Sequence, residues 1–166
     1  TCPMKETRIV LVVLLLFAAS ACSKAPQKSA EQPAYTAQES LAKMHLSEEF
    51  NVEIFLTEPQ VMSPTEMVFD ENGRIYVAEM LDYPDDPPPG KPVRSRIKLL
   101  EDNDGDGKYE RVVVFADQVL QASGILPWKG GVIVTSAPDI FWMKDTDGDG
   151  KADIKQVLFT GFPKVN

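Results

Sequence analysis

The chain is short of the side chains that catalysis and metal binding most often recruit. It has one histidine, His45, and two cysteines, Cys2 and Cys22, both before residue 23. No disulfide can staple the body of the protein, and a single histidine leaves little room for a multi-His metal site or for His-based catalysis. Positive charge is scarce as well: 17 Lys+Arg stand against 25 Asp+Glu, a net charge of −8. Nucleic acid is therefore not an expected partner, because its phosphate backbone attracts basic surfaces. Long apolar runs are missing too. The longest, residues 9–19, is about half of the roughly 20 residues that a membrane-spanning helix needs. What is present is a 166-residue chain with an ordinary 43 % of hydrophobic residues, enough for one modest domain or a piece of a larger one.

The N-terminus carries an address. Lys5 and Arg8 precede the apolar run, and small residues follow it, the pattern of an export signal translated from Met4. Ala19-Ser20-Ala21-Cys22 resembles a bacterial lipobox, in which the Cys becomes the mature N-terminus and carries lipid. The alternative is a plain secretory signal with an unrelated Cys. The expectation is a lipoprotein signal over 1–21, lipid attachment at Cys22 and a flexible tether over 22–38, which is small, polar and without an apolar period. An acidic body does not cling to anionic lipid by charge, so the acyl chains must hold it at the membrane. Ser23 after the Cys, rather than Asp, resembles lipoproteins sent to an outer membrane. The expected location is the cell envelope, on the periplasmic side or the cell surface, and the outer membrane where the source cell has one.

Beyond the tether the chain repeats itself. Leu100-Glu101-Asp102-Asn103-Asp104-Gly105-Asp106-Gly107-Lys108 recurs 43 residues later as Met143-Lys144-Asp145-Thr146-Asp147-Gly148-Asp149-Gly150-Lys151. A period of about 40–50 residues built from short strands points to propeller blades. Candidate strands rich in Val, Ile, Phe and Tyr, fenced by Gly, Pro, Asn and Asp, cover 52–56, 67–70, 75–80, 96–101, 111–116, 124–128, 131–137, 140–144 and 155–160. Only 39–46 reads as helical. The expected fold is all-β, an incomplete β-propeller over 39–166 with two four-stranded blades at about 67–117 and 122–162. Two blades do not close a ring, so the chain is expected to be the N-terminal portion of a longer protein.

Topology then sorts the loops. In an up-and-down blade the acidic repeats join strands three and four, opposite a Pro-rich insertion, residues 81–94, between strands two and three. The mouth on the insertion side is the customary ligand site, which directs attention to 79–94, 117–123 and 136–139. Glu79, Asp82, Tyr83, Arg94 and Arg96 are the catalytic or ligand candidates there, the arginines for an anionic ligand. Loop-anchoring hydrogen bonds or ion pairs are the plainer reading of all five, and blade packing is that of Trp128 and Trp142.

Each acidic repeat sets carboxylates at relative positions 1, 3, 5 and 9: Asp102, Asp104, Asp106 and Glu110, then Asp145, Asp147, Asp149 and Asp153. Like charges this close repel unless a cation sits among them. Ca²⁺ takes six to eight oxygens with tolerant geometry, and the main-chain carbonyls of Lys108 and Lys151 would add one each. Position 12, where an EF-hand places its bidentate Glu, is Val113 or Gln156, so affinity in the ~10⁻⁴–10⁻³ M range of extracellular modules is expected. Solvated turns that use Asp and Gly for their geometry alone are the competing reading.

A family resemblance covers residues 39–162. It rests on Glu39-Ser40-Leu41-Ala42-Lys43, Val52-Glu53-Ile54-Phe55 with Glu58-Pro59, Ile75-Tyr76-Val77-Ala78-Glu79-Met80 with Asp82-Tyr83-Pro84, Arg96-Ile97-Lys98-Leu99-Leu100-Glu101-Asp102, Gly124-Ile125-Leu126-Pro127-Trp128, Ala137-Pro138-Asp139-Ile140 and Leu158-Phe159-Thr160-Gly161-Phe162. This ordered set looks like the N-terminal part of the membrane-bound dehydrogenases of planctomycetes, verrucomicrobia and related bacteria. Those proteins are similar to the pyrroloquinoline-quinone (PQQ) sugar dehydrogenase propellers, and many add helical repeats and a C-terminal c-type haem domain. The resemblance implies PQQ, a sugar or alcohol substrate and an electron acceptor for the full-length protein, with haem c only where a C-terminal domain carries it. No Cys-x-x-Cys-His occurs in this sequence. The alternative is a non-enzymatic surface propeller that binds glycan or protein.

Overall fold

Runs of Val, Ile, Leu and Phe become strands here because turn residues fence each of them. At the first reversal Asp70 accepts from the amides of Asn72 and Arg74, both at 2.9 Å, and Gly73 takes the positive φ of 79° that a tight turn needs. The computed structural model describes residues 33–163, so the export signal, Cys22 and all but the end of the tether lie outside the described residues. One short helix, α1 (Ala37–Ala42), is followed by eight strands: β1 (Pro64–Phe69), β2 (Ile75–Glu79), β3 (Arg96–Glu101), β4 (Arg111–Ala116), β5 (Gly124–Trp128), β6 (Gly131–Ser136), β7 (Asp139–Lys144) and β8 (Ile154–Thr160).

The strands form two antiparallel sheets, β1-β2-β3-β4 and β5-β6-β7-β8. Each is an up-and-down meander, the form of a propeller blade. Equivalent strands pair alike: Ile75↔Leu100 and Glu79↔Arg96 in the first sheet correspond to Val132↔Met143 and Ser136↔Asp139 in the second. The inner strands β1 and β5 lie against each other.

Strand alternation gives each sheet a forward face, toward the next sheet in chain order, and a rear face. Tyr76, Ala78, Ile97 and Leu99 on the first sheet's forward face join Ile125, Val132, Val134, Phe141 and Met143 on the second sheet's rear face in one buried core. Burying each of these larger side chains stabilises the joint by about 1.5–3 kcal/mol. On the first sheet's rear face Ile75, Val77, Leu100 and Val112 pack with Leu56, Val61 and Tyr109, while Met67 and Phe69 on the same face are exposed. The second sheet's forward face stays open.

Three expectations need correction. Residues 52–56 form no strand, because no neighbouring strand offers a ladder; Leu56 instead seats on the rear face of the first sheet, and Phe55 meets Tyr109 edge-on at 5.2 Å. The helix spans Ala37–Ala42 rather than 39–46, and exposed His45 lies beyond its end. The strand β1 begins at Pro64, not 67, where a register shift lets Pro64 pair with Glu79. Trp128 and Trp142 do pack on each other, edge to face at 6.3 Å, with the Trp142 indole N–H donating to the Trp128 carbonyl at 3.0 Å. Gly131 opens β6 because a Cβ there would collide with the Met143 carbonyl.

Candidate functional site

The two acidic loops occupy one end of the sheets, joining β3 to β4 and β7 to β8. In the first, Asp102 Oδ1 accepts from the amides of Asp104 (3.2 Å) and Gly105 (2.6 Å), and its Oδ2 from Gly107 (2.9 Å). In the second, Asp145 repeats this with Asp147 (3.2 Å), Gly148 (2.7 Å) and Gly150 (2.8 Å). The glycines take positive φ between 78° and 88°, which turns their amides inward. The Gly107 amide leads in holding the Asp102 carboxyl below the usual carboxylate range. Partial burial pushes Asp145 the other way, and its three amide donors outweigh it, so that Asp145 too is held low.

The carboxylates converge unequally. One oxygen from each of Asp102, Asp104, Asp106 and Glu110 lies within 4.8 Å of the others. The second loop gathers Asp145, Asp147 and Asp149 only. Asp153, one methylene shorter than Glu110, accepts instead from the Thr146 hydroxyl at 2.6 Å and its amide at 3.2 Å. Lys108 places its ammonium 2.8 Å from Asp106 Oδ2, and its amide, like that of Lys151, donates to the Asp two residues before it. Such an oxygen-only set suits a hard divalent cation such as Ca²⁺.

At the opposite end, the Pro-rich insertion is pinched at its base. Asp82 Oδ2 accepts from the Ser95 hydroxyl and amide, both at 2.7 Å, and from the Arg94 amide at 2.8 Å, while Oδ1 pairs with the Arg94 guanidinium at 3.3 Å. Burial pushes the Asp82 carboxyl upward, but the Ser95 and Arg94 donors outweigh it and hold it below the usual range. It is therefore an anchor held ionised at neutral pH. Glu79 is fully buried between Arg96 Nε (2.5 Å), Lys98 Nζ (3.1 Å) and the Met62 amide (2.7 Å). The Lys98 ammonium also donates to the Gln60 carbonyl.

Among the five candidates at this end, Glu79, Asp82 and Arg96 are thus committed to internal pairs. Tyr83 (72 % exposed) and the Arg94 side chain (68 % exposed) face solvent beside a depression of about 420 Å³ lined by the insertion. Residues 117–123 and 136–139 do gather here: the Val119 amide donates to the Ser95 carbonyl at 2.9 Å, and Gln121 reaches Asp86 at 3.2 Å. The Ser136 hydroxyl donates to the Leu120 carbonyl at 2.5 Å.

Sequence reasoning missed three working residues. Ser95 pins the insertion, Lys98 holds the segment before β1, and Arg111 joins the two sheets by donating to Glu101 and to the Asp149 carbonyl. A lone lysine inside the apolar run Ile97–Leu100 was the one visible signal. Ser95 and Arg111 gave none.

Two consecutive meanders of one repeat, packed forward face on rear face, define an all-β protein of the β-propeller class. The chain belongs to the family described as "Domain of unknown function (DUF7133)", whose model matches residues 36–166. No curated protein matches it. Two solved structures are similar at 18 % identity. The PQQ domain of pyranose dehydrogenase from Coprinopsis cinerea aligns over 63 % of this chain and 23 % of its own, with a TM-score of 0.48. A Carbohydrate-Active Enzymes family AA12 protein of Trichoderma reesei aligns over 64 % and 25 %, with a TM-score of 0.44. The chain thus spans about a quarter of the length of each. Among the described residues, no helix is long and apolar enough to cross a membrane.

Proposed function

We propose that this chain is the opening part of a calcium-binding β-propeller, lipid-anchored through Cys22 in the cell envelope, and that the whole protein is a quinone-dependent sugar or alcohol dehydrogenase. One observation carries the calcium reading: two loops 43 residues apart reproduce the same inward-turned amides and converging carboxylates. The donor set fits Ca²⁺, with Asp102, Asp104, Asp106 and Glu110 as the fuller site and Asp145, Asp147 and Asp149 as the leaner one. Bound ions would pin the outer hairpin of each blade, making stability depend on free calcium by mass action. Their role is structural.

The dehydrogenase reading rests on the sequence resemblance over 39–162. Among the described residues Arg96 is committed to Glu79, and Arg94, largely exposed, is paired with Asp82 through its Nε, so the two arginines do not form a converging cationic pair for the carboxylates of PQQ. The quinone, the substrate and the electron acceptor would be met by other parts of the whole protein, and haem c only by a C-terminal domain. Those ion pairs are also what favours the second reading, a non-enzymatic surface propeller for glycan or protein.

Calorimetric titration of Ca²⁺ into chelator-treated full-length protein, paired with thermal unfolding, tests the first part. Binding in the ~10⁻⁴–10⁻³ M range with a rise in Tm supports it; no heat and no shift refute it. PQQ reconstitution with dye-linked electron transfer across sugars and alcohols tests the second, and silence throughout leaves the binding propeller. Labelling of Cys22 with a radioactive fatty acid in the source cell tests the anchor.

A further inference from the structure

The two acidic loops are alike in sequence but are held from different directions. In each, the residue at position 8 reaches back along the chain. In the first loop this is Tyr109, whose ring meets Phe55 at 5.2 Å and whose hydroxyl donates to the Gly73 carbonyl at 2.9 Å. In the second it is Ala152, which packs against the core of the joint and whose amide donates to the Phe115 carbonyl at 2.7 Å. The first loop is thus tied to its own sheet and to the segment before it, and the second to the neighbouring sheet.

The second loop has a further tie. Arg111 Nη2 donates to the Asp149 carbonyl, and the same peptide group presents its other end, the Gly150 N–H, to Asp145 Oδ2 at 2.8 Å. A hydrogen bond on a carbonyl polarises the peptide and strengthens its N–H as a donor, so the guanidinium acts on Asp145 through the peptide between them. Its position also accounts for Gly150, which is buried: a Cβ there would stand 2.8 Å from Arg111 Nη2 and 3.0 Å from Val113 Cγ2. Gly107, the equivalent in the first loop, is exposed, and a Cβ there would meet nothing within 4 Å. Glu101 matches the charge of Arg111, so the clamp brings no net positive charge toward the carboxylates.

We propose that Arg111 is the positioning residue of the second acidic loop, which takes its inward-turned form only while the two sheets are joined, whereas the first loop closes independently of the joint. A cation held by the second loop then strengthens the joint, and by reciprocity the joint strengthens the binding of that cation. The coupling to a cation rests on the calcium reading proposed above; the clamp itself does not.

Amide hydrogen exchange of the native full-length protein in chelator, read by mass spectrometry, tests the clamp without calcium. In the parent, residues 145–152 should share the urea dependence of β6 in the joint, while 102–109 open locally with little dependence on urea. In Arg111→Met, exchange over 145–152 should rise about fivefold and that over 102–109 should stay at the parental rate. Equal acceleration of both loops, as a general loss of stability would give, overturns the proposal, and so does no acceleration at 145–152. Should the variant not fold, the urea dependence in the parent decides alone. Repeating the exchange across Ca²⁺ concentrations tests the coupling: the concentration that protects 145–152 should rise about fivefold in the variant and that for 102–109 should not move. An unshifted concentration at 145–152 overturns the coupling. Calcium that protects neither loop of the parent refutes the calcium reading instead, and the exchange in chelator still judges the clamp.

Discussion

Arg111, at the start of β4, donates its guanidinium to the main-chain carbonyl of Asp149 across the joint between the sheets, while its other arm holds Glu101 on its own sheet. The Ala152 amide donates to the Phe115 carbonyl at 2.7 Å beside it. The second acidic loop is therefore built onto the first sheet. Arg111→Met keeps the stem and removes the bridge. Because Arg111 is partly solvated, the expected loss is about 1 kcal/mol, at the upper end for exposed pairs. Urea unfolding of the full-length protein should show a lower midpoint at unchanged slope. Lys108→Met, which removes an exposed pair, should leave the midpoint where it was.

Asp82 should make stability depend on acid. Its folded pKa lies below the ordinary value of 3.8, because the Ser95 and Arg94 donors outweigh burial. Its contribution is thus complete above pH ~4 and is lost as pH falls through the depressed folded value. Asp82→Asn should cost about 2–3 kcal/mol at neutral pH, the range for hydrogen bonds to a buried charge. The variant should also lose less further stability below pH 4 than the parent does. Denaturant midpoints taken from pH 7 to pH 2.5 check both.

The repeat was legible because spacing alone defines it. Strands β3, β4 and β5 were readable to the residue, since Arg96 and Gly124 follow serines, Arg111 follows the acidic repeat, and each run ends on a charge, an alanine or Trp128. Residues 52–56 misled because Val52-Glu53-Ile54-Phe55 alternates like a half-buried strand; periodicity reports burial on one side and says nothing about whether a ladder partner exists. The acidic loops could be placed, but not their inequality, which depends on one methylene in Glu110 and on the Thr146 hydroxyl that captures Asp153. The commitments of Glu79 and Asp82 to Lys98 and Ser95 are cross-strand events that a linear pattern does not record.

That inequality separates the two loops under calcium. Glu110→Gln should weaken binding at the first loop by about tenfold, since charge count tunes such sites. Asp153→Asn should leave affinity at the second loop unchanged, because Asp153 stands outside the carboxylate cluster. Chelation should lower the Tm of the full-length protein and erase the difference between Glu110→Gln and the parent. Calorimetric titration of both variants, with chelated controls, reads all of this.

Glu79 is the sharpest test of whether the insertion end is scaffold or chemistry. It is the shared anion for Arg96 and Lys98 and accepts from the Met62 amide, so it joins β2, β3 and the segment before β1. Removing its charge strands a buried ammonium. Glu79→Gln is expected to cost about 3–5 kcal/mol, as when one partner of a buried pair is lost. Lys98→Met should cost much less, because Arg96 and the Met62 amide still serve the carboxylate, and an apolar side chain at 98 restores what Phe141 does in the second sheet. In Glu79→Gln/Lys98→Met the stranded ammonium is gone, so the double variant should recover most of the stability that Glu79→Gln loses. Denaturant midpoints of the three variants decide it: a double variant no more stable than Glu79→Gln would show that the carboxylate is needed for something other than neutralising Lys98.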